Sequence, residues 1–353
     1  MIPETIERVR IQAYDLPLRR PWSSARGGFD RRCGWLVRLE SEGVAGFGDC
    51  APLPAAGTET ARTAARTLDR VQASALAPST ARPLDDLDAE LNRSPSVRYA
   101  LDCALADLSS RLAGVPLARH LSPSPAERIA VNAMLGPLDE IAPEDLARAG
   151  RQGFQVVKLK VGLRPLDEEI QRLTQCARHL PPGIRLRLDA NGAWNAEEAK
   201  RLVDAIVELP IESVEEPLRD PVPETLAALQ ARVPFPLARD ESIQGLGPDL
   251  DPAALGVRRL VVKPAALGGL DRTLALAHRA DRAGIELVVT SLVESAAGLW
   301  PTVQLAAAIG GNIPHGLATA DWLAEDLGRP PRPRDGWIRR PTSPGSGFIA
   351  DRP

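Results

Sequence analysis

Lysine is scarce in this 353-residue chain: four residues, Lys158, Lys160, Lys200 and Lys263, among 43 basic ones. Arginine stays charged at any working pH, whereas a buried ammonium can lose its proton and act as a base. A lysine retained in so arginine-rich a chain is therefore a candidate for base chemistry. Lys158 and Lys160 stand two apart in VVKLKVG, so on a strand both side chains share one face. Facing each other, two ammonium groups are expected to depress one another's pKa, with burial adding to the effect. Lys263 ends RRLVVK, and Lys200 lies in a helix-like surface stretch.

Acids recur beside these lysines. Asp189 ends IRLRLD, Glu215 ends SVE and Asp240 ends PLARD. From Lys160 to Lys263 the intervals are 29, 26, 25 and 23 residues, each about one strand-plus-helix unit. Successive units of a parallel barrel would bring all five side chains to its C-terminal face. Three converging carboxylates repel one another unless a cation sits between them, and an all-oxygen shell suits Mg²⁺, with Mn²⁺ as the alternative. A carboxylate substrate on such an ion, with lysines on both sides, is arranged for removal of its α-proton and for holding the enediolate.

The elements needed to position them are legible. Residues 1–125 read as an α+β capping domain with a small antiparallel sheet and two helices. From 126 to 325, eight strand-like runs alternate with helical stretches: IAVNAML, VVKLKVG, IRLRLDAN, SVEEP, FPLARDES, RRLVVKP, ELVVTS and NIPHGL. The fold expected is an α/β barrel, a modified (β/α)7β TIM-type barrel with an N-terminal α+β capping domain. Residues 326–353, rich in Pro, Gly and Arg, are expected to return to that domain. The GxxGxG at Gly43, Gly46 and Gly48 is a turn and strand-end signal, since no helix follows in dinucleotide-binding register.

Composition narrows the partners. With 44% hydrophobic but only 4% aromatic residues, the core must be mostly aliphatic. A formal charge of -3 with no basic block argues against nucleic acid and anionic membrane. No apolar run is long enough to span a bilayer, and the N-terminus lacks a secretory core. Cys33, Cys50, Cys103 and Cys176 are scattered, as reduced and mostly buried thiols of a cytoplasmic protein would be. Oligomeric state is not legible.

The motifs KLK (158–160), LDANGAW (188–194), VEEP (214–217), RDES (239–242) and VVKP (261–264) resemble those of the enolase superfamily, in its muconate-lactonising branch. Three further stretches resemble the o-succinylbenzoate synthase family within it: GDCAPLPAAGTET (48–60), SPSVRYALDCALADL (94–108) and VVTSLVESAAG (288–298). The resemblance implies that Asp189, Glu215 and Asp240 bind Mg²⁺, with Glu216 and Glu241 as second choices. It implies Lys160 as base and then acid, Lys158 keeping its pKa low, and Lys263 holding the enolate. Asn191 would support the metal site from behind, and Ser291 would contact the substrate carboxylate. The implied reaction is syn dehydration of a 2-succinyl-6-hydroxy-cyclohexadiene-1-carboxylate to o-succinylbenzoate in menaquinone biosynthesis, a hydro-lyase activity on a small carboxylate. The alternatives are an N-acylamino acid racemase or dipeptide epimerase, a muconate cycloisomerase, and a non-catalytic metal-binding barrel. A dipeptide epimerase would be expected to carry a DxD-type motif near the eighth strand; NIPHGLATAD has none, though Asp321 is close. Asp49 stands where that family usually has Glu, which bears on how the capping loop meets the barrel. Gly27 and Gly28 give the 20s segment a hinge, and its Arg26, Arg31 and Arg32 are read as solvated surface rather than as contacts to an acidic ligand.

Overall fold

The computed structural model describes residues 6–24, 27–75, 88–247 and 249–351; Arg26 lies outside them. Strands β1 (Arg8–Ser24), β2 (Gly27–Ser41) and β3 (Val44–Cys50) form an antiparallel sheet in that order. Helices α1 (Ala61–Ala75), α2 (Asp88–Leu91) and α3 (Pro95–Leu112) follow. Val37, Leu39, Leu68, Val97, Leu101 and Leu108 are buried between sheet and helices. Helix α3 lies directly on β3. A Cβ on Gly46 would come within 2.2 Å of the Ala104 carbonyl oxygen, and one on Gly48 within 1.9 Å of that of Ala100. These two glycines therefore serve close backbone approach, not nucleotide binding.

Helix α4 (Leu117–Leu121) and strand β4 (Arg128–Ala130) lead into a seven-stranded parallel sheet. Its strands are β5 (Ala133–Pro137), β6 (Val156–Lys160), β7 (Arg185–Asp189), β8 (Ile211–Glu215), β9 (Leu237–Arg239), β10 (Arg259–Val262) and β11 (Glu286–Val289). They follow one another in chain order. The intervening helices are α5 (Pro143–Arg151), α6 (Leu166–Arg178), α7 (Ala196–Ile206), α8 (Pro223–Gln230), α9 (Pro264–Leu267) and α10 (Leu270–Arg282); α11 (Ala296–Ile309) follows β11. The run expected as an eighth strand contributes only two residues to the sheet. His315 bridges to Val131 and Gly316 to Thr290, both parallel, which closes the barrel. The fold is the expected TIM-type barrel with an N-terminal capping domain.

Side chains alternate along each strand. Val157, Leu159, Leu186, Leu188 and Leu260 join the aliphatic core between barrel and helices. The core is mostly aliphatic, as expected, but a buried ionic group interrupts it inside the barrel. Arg187 donates to Glu212 at 2.9 Å and to Asn132 at 3.1 Å, while Arg259 pairs with Glu212 at 2.6 Å and Glu286 at 2.7 Å. Each charge there is paired, as burial demands. His315 is buried among them, and its Nδ1 accepts the Val289 N–H at 3.0 Å. Burial, with the charges of Arg187 and Arg259, pushes its pKa down to about 3.

The last strand, β12 (Trp337–Arg339), pairs antiparallel with β4. Beyond it the chain reaches the capping elements. Ser346 N donates to Asp107 at 2.6 Å, Arg111 to the Phe348 carbonyl at 2.9 Å, and Phe348 packs edge-on against Phe47. None of the helices among the described residues is long and apolar enough to cross a membrane.

Candidate active site

The register of the sheet sets the site. Lys160 pairs with Asp189, and Asp189 with Glu215, so these three residues stand level on neighbouring strands. Glu215 is opposite Ala238, which puts Asp240 just past the end of β9, and Lys263 follows the last residue of β10. The spacing read from the sequence thus brings all of them to one rim. All but Glu215 border a cavity of about 230 Å³, lined also by Trp22, Phe29 and Leu53 of the capping domain and by Leu292 and Val293 after β11. Lys158, Lys160, Asp189, Asn191, Asp240, Lys263 and Ser291 all line it; Glu215 lies below, beneath Lys158.

The strand-end turns are conformationally unusual. Asn191, Glu216 and Val293 have φ of 46°, 43° and 60°. Asparagine tolerates that left-handed region; for a β-branched valine it is strain held by the surroundings, a feature that concentrates at functional sites. Val293 is held from the capping side. The Arg32 guanidinium, buried rather than solvated, donates to the carbonyls of Ala51 (2.6 Å), Pro52 (3.1 Å) and Val293 (3.3 Å). The surface reading of Arg32 fails because three carbonyls from two loops converge on it. Arg31 is exposed and pairs with Asp15 at 2.7 Å.

Lys158 departs from the expected depression. Lys158 Nζ lies 3.1 Å from Asp189 and closer still to Glu215. Burial lowers its pKa, but the charges of Asp189, Glu215 and Asp240 and the hydrogen bond to Glu215 outweigh it and hold Lys158 well above the ordinary lysine range. The upward pull comes from three carboxylates, two of them within ion-pair distance. Lys160 donates to Asn191 Oδ1 at 2.6 Å and lies 3.6 Å from Asp189. Lys263, across the barrel, pairs closely with Asp240.

Asp189, Glu215 and Asp240 are all buried. Burial raises Glu215 and Asp240, each helped by neighbouring carboxylates. Burial also acts to raise Asp189, but Lys158 and Lys160 pull it below its usual range. Such a trio needs positive charge, and here ammonium groups supply it. Among the described residues no three His, Cys, Asp or Glu side chains are gathered closely enough to hold a metal ion as they stand. The ammonium of Lys158 is wedged between two of the acids. The donor set itself, three buried carboxylates and no sulfur or imidazole, fits a hard divalent cation.

Glu216 and Glu241 have other work. Glu216 Oε1 accepts from Asp240 N (2.6 Å), Ser242 N (2.9 Å) and Ser242 Oγ (2.6 Å), tying the ends of β8 and β9 together, and burial pushes its pKa up to about 7. Glu241 accepts from Asn191 Nδ2 at 3.0 Å. Ser291 shares a 2.7 Å hydrogen bond with Thr319. Asp49 joins the two domains. Its Oδ1 accepts from Tyr14 at 2.6 Å, and its Oδ2 accepts from Ser295 N and Oγ, both at 2.8 Å. Phe29 belongs to the 20s segment that the resemblance puts over the substrate; Trp22, its partner across β1 and β2, and Leu53 were not singled out from sequence.

A capped parallel barrel with acids and lysines gathered at its C-terminal rim defines an α/β-barrel enzyme. The chain belongs to the enolase C-terminal domain-like family, whose model matches residues 142–352. A MenC N-terminal domain model matches 6–108. The chain is 28% identical to the o-succinylbenzoate synthase of Desulfotalea psychrophila (89% of this chain, 93% of that one) and 29% to that of Proteus mirabilis (91% and 93%). It is also 28% identical to muconate cycloisomerase 1-1 of Acinetobacter lwoffii (98% and 94%). Among solved structures it resembles the L-Ala-D/L-Glu epimerase of Bacillus subtilis, with TM-score 0.87, 22% identity and 98% and 99% coverage. It also resembles a dipeptide epimerase of Methylococcus capsulatus complexed with Mg ion, with TM-score 0.82, 25% identity and 98% and 99% coverage. The enolase-superfamily resemblance read from the motifs is borne out, and the chain is an enzyme of that superfamily.

Proposed function

We propose that this enzyme is an o-succinylbenzoate synthase, dehydrating 2-succinyl-6-hydroxy-cyclohexadiene-1-carboxylate. The observation that carries this reading is the likeness of the capping domain to the MenC N-terminal domain and of most of the chain to o-succinylbenzoate synthases, on a cavity lined by Lys160, Lys263, Asp189 and Asp240. Lys160 removes the α-proton, Lys263 faces the charge that develops on the carboxylate, and protonated Lys160 returns the proton to the departing hydroxyl on the same face. A divalent cation, Mg²⁺ or Mn²⁺, held by Asp189, Glu215 and Asp240, would supply fixed positive charge against the substrate carboxylate. Binding it requires Lys158 to withdraw from between Asp189 and Glu215 and Lys263 to leave Asp240. Lys158 then remains beside the acid cluster as a fixed positive charge next to Lys160. In this reading residues 1–125 cap the site, 126–325 carry the chemistry and 326–353 clasp the two.

The racemase and epimerase readings use the same lysines. Against a dipeptide substrate stands the position of Asp321. It is exposed, pairs closely with Arg332, and is not among the residues bordering the catalytic cavity. No acid of the eighth unit is thereby placed to receive a substrate ammonium. The deciding experiment measures two rates on one Mg²⁺-loaded preparation: ultraviolet absorbance for dehydration of the cyclohexadiene, and optical rotation for racemisation of N-succinylamino acids. Dehydration is expected to be strong and racemisation absent or much slower. Efficient racemisation without dehydration would overturn the reading.

A further inference from the structure

A second cleft, of about 870 Å³, opens beside the catalytic cavity. Met134 and Ala318 border both. The two are also joined through aromatics: Trp22 of the catalytic cavity packs edge-on, at 4.7 Å, against Trp322 of the cleft. Six arginines line the cleft: Arg19, Arg20, Arg148, Arg151, Arg332 and Arg334. Only two lining residues, Asp321 and Asp335, are acidic. The cleft is thus strongly positive on a chain whose formal net charge is -3.

Little of this charge is neutralised. Arg332 pairs with Asp321 and Arg148 with Asp145. Arg20 lies over the Trp322 ring at 4.2 Å. Arg19, Arg151 and Arg334 form no ion pair among the described residues. The C-terminal end of α5 attracts cations, which accounts for Arg148 and Arg151. It does not account for Arg19 and Arg20 from the capping strand or Arg334 from the tail. Three distant stretches of chain bring guanidinium forks to one concavity, and a fork matches the two oxygens of a carboxylate.

We propose that this cleft is a second binding site, for small di- and tricarboxylate anions, and that it gathers the anionic substrate at the mouth of the catalytic cavity. A concave patch of one sign raises the local concentration of the opposite ion and its rate of entry by tenfold or more at low salt. The anionic chemistry follows from the arginines alone; that the guest is the succinyl-bearing dicarboxylate rests on the function proposed above.

The test has two arms, with the variants Arg151→Glu/Arg334→Glu and, should that fail to fold, Arg151→Gln/Arg334→Gln. The first arm needs no turnover. Tricarballylate titrated into the full-length protein should change the tryptophan fluorescence saturably, because Trp322 lines the cleft, and the variant should bind at least about tenfold more weakly. A wild-type protein blind to tricarballylate, or a variant with unchanged affinity, overturns the proposal. The second arm measures kcat/KM for dehydration against ionic strength. The wild-type value should fall as salt rises. The variant should start about tenfold lower at low salt, through KM rather than kcat, and show a flatter salt dependence. Equal kcat/KM and equal salt slopes refute the entry role. If the wild type performs no dehydration at all, the functional reading fails, while the first arm still decides the site.

Discussion

Removing the Asp49 carboxylate should weaken the seam between the capping domain and the barrel by a calculable amount. Asp49 is fully buried and receives three hydrogen bonds, one from Tyr14 on β1 and two from Ser295 at the start of α11. Asp49→Ala strips all three donors of their acceptor. Bonds to a charged acceptor contribute about 1.5–3 kcal/mol each, and a buried donor left unpaired costs about 1–3 kcal/mol. Burial pushes the Asp49 pKa upward, so desolvation already offsets part of this. The low end of the range therefore applies, and the expected loss is about 3–5 kcal/mol. Asp49→Asn keeps one acceptor oxygen for Ser295 and turns its amide to Tyr14, so it should lose only about 1–2 kcal/mol. Urea unfolding followed by circular dichroism, with the m-value checked for constancy, reads both. A further cycle with Tyr14→Phe should show a coupling of about 1 kcal/mol between the two residues. Asp49→Ala within about 0.5 kcal/mol of wild type, the range of an ordinary surface change, would show that the seam is held by something else.

Lys160→Ala and Lys160→Arg should both lose at least about 100-fold in dehydration and in exchange of the substrate α-proton with deuterated solvent, because guanidinium cannot serve as the base; substantial exchange in the arginine variant would mean that another group is the base. Chelation with EDTA should abolish turnover, Mg²⁺ should restore it, and calorimetry should find Mg²⁺ binding in the wild type and much weaker binding in Asp189→Asn; full activity in exhaustively chelated protein would rule the metal site out. His315 should make the fold acid-sensitive. Its folded-state pKa is held down to about 3, below the ordinary value near 6.5, so the unfolded chain binds the proton first as pH falls. Its contribution is complete above about pH 6.5 and is lost progressively toward pH 3, by roughly 2 kcal/mol at pH 5. His315→Asn should flatten the stability-against-pH curve between pH 6.5 and 4; parallel curves for the two proteins would refute this.

What the sequence revealed and concealed follows from the range over which each feature is encoded. Lys160, Asp189, Glu215, Asp240 and Lys263 were legible because one strand and one helix occupy a nearly constant length, so the barrel repeats itself in the numbering. The closing strand was overestimated: NIPHGL reads as a strand, yet only His315 and Gly316 bridge to their neighbours. The carboxylates around Lys158 are not legible because the sequence offers only its near neighbour, Lys160, as a partner. Asp189 and Glu215 are 31 and 57 residues away along the chain and 3.1 Å or less away in space. The ionic layer of Arg187, Glu212 and Arg259 was hidden for the opposite reason. On a β-strand, an inward charge and a solvent-facing charge have the same period of two, and only a closed barrel makes the inward one a buried partner. The same holds at the seam. Arg32 looked like one arginine among many, and nothing local marks Ala51, Pro52 and Val293 as converging on it. Val293 carries a φ of 60° that β-branched residues avoid, and the capping domain holds its carbonyl through Arg32 while Asp49 holds Ser295 two residues on. The loop that borders the cavity is thus fixed by the other domain. That tie makes the capping sheet part of the frame that shapes the cavity.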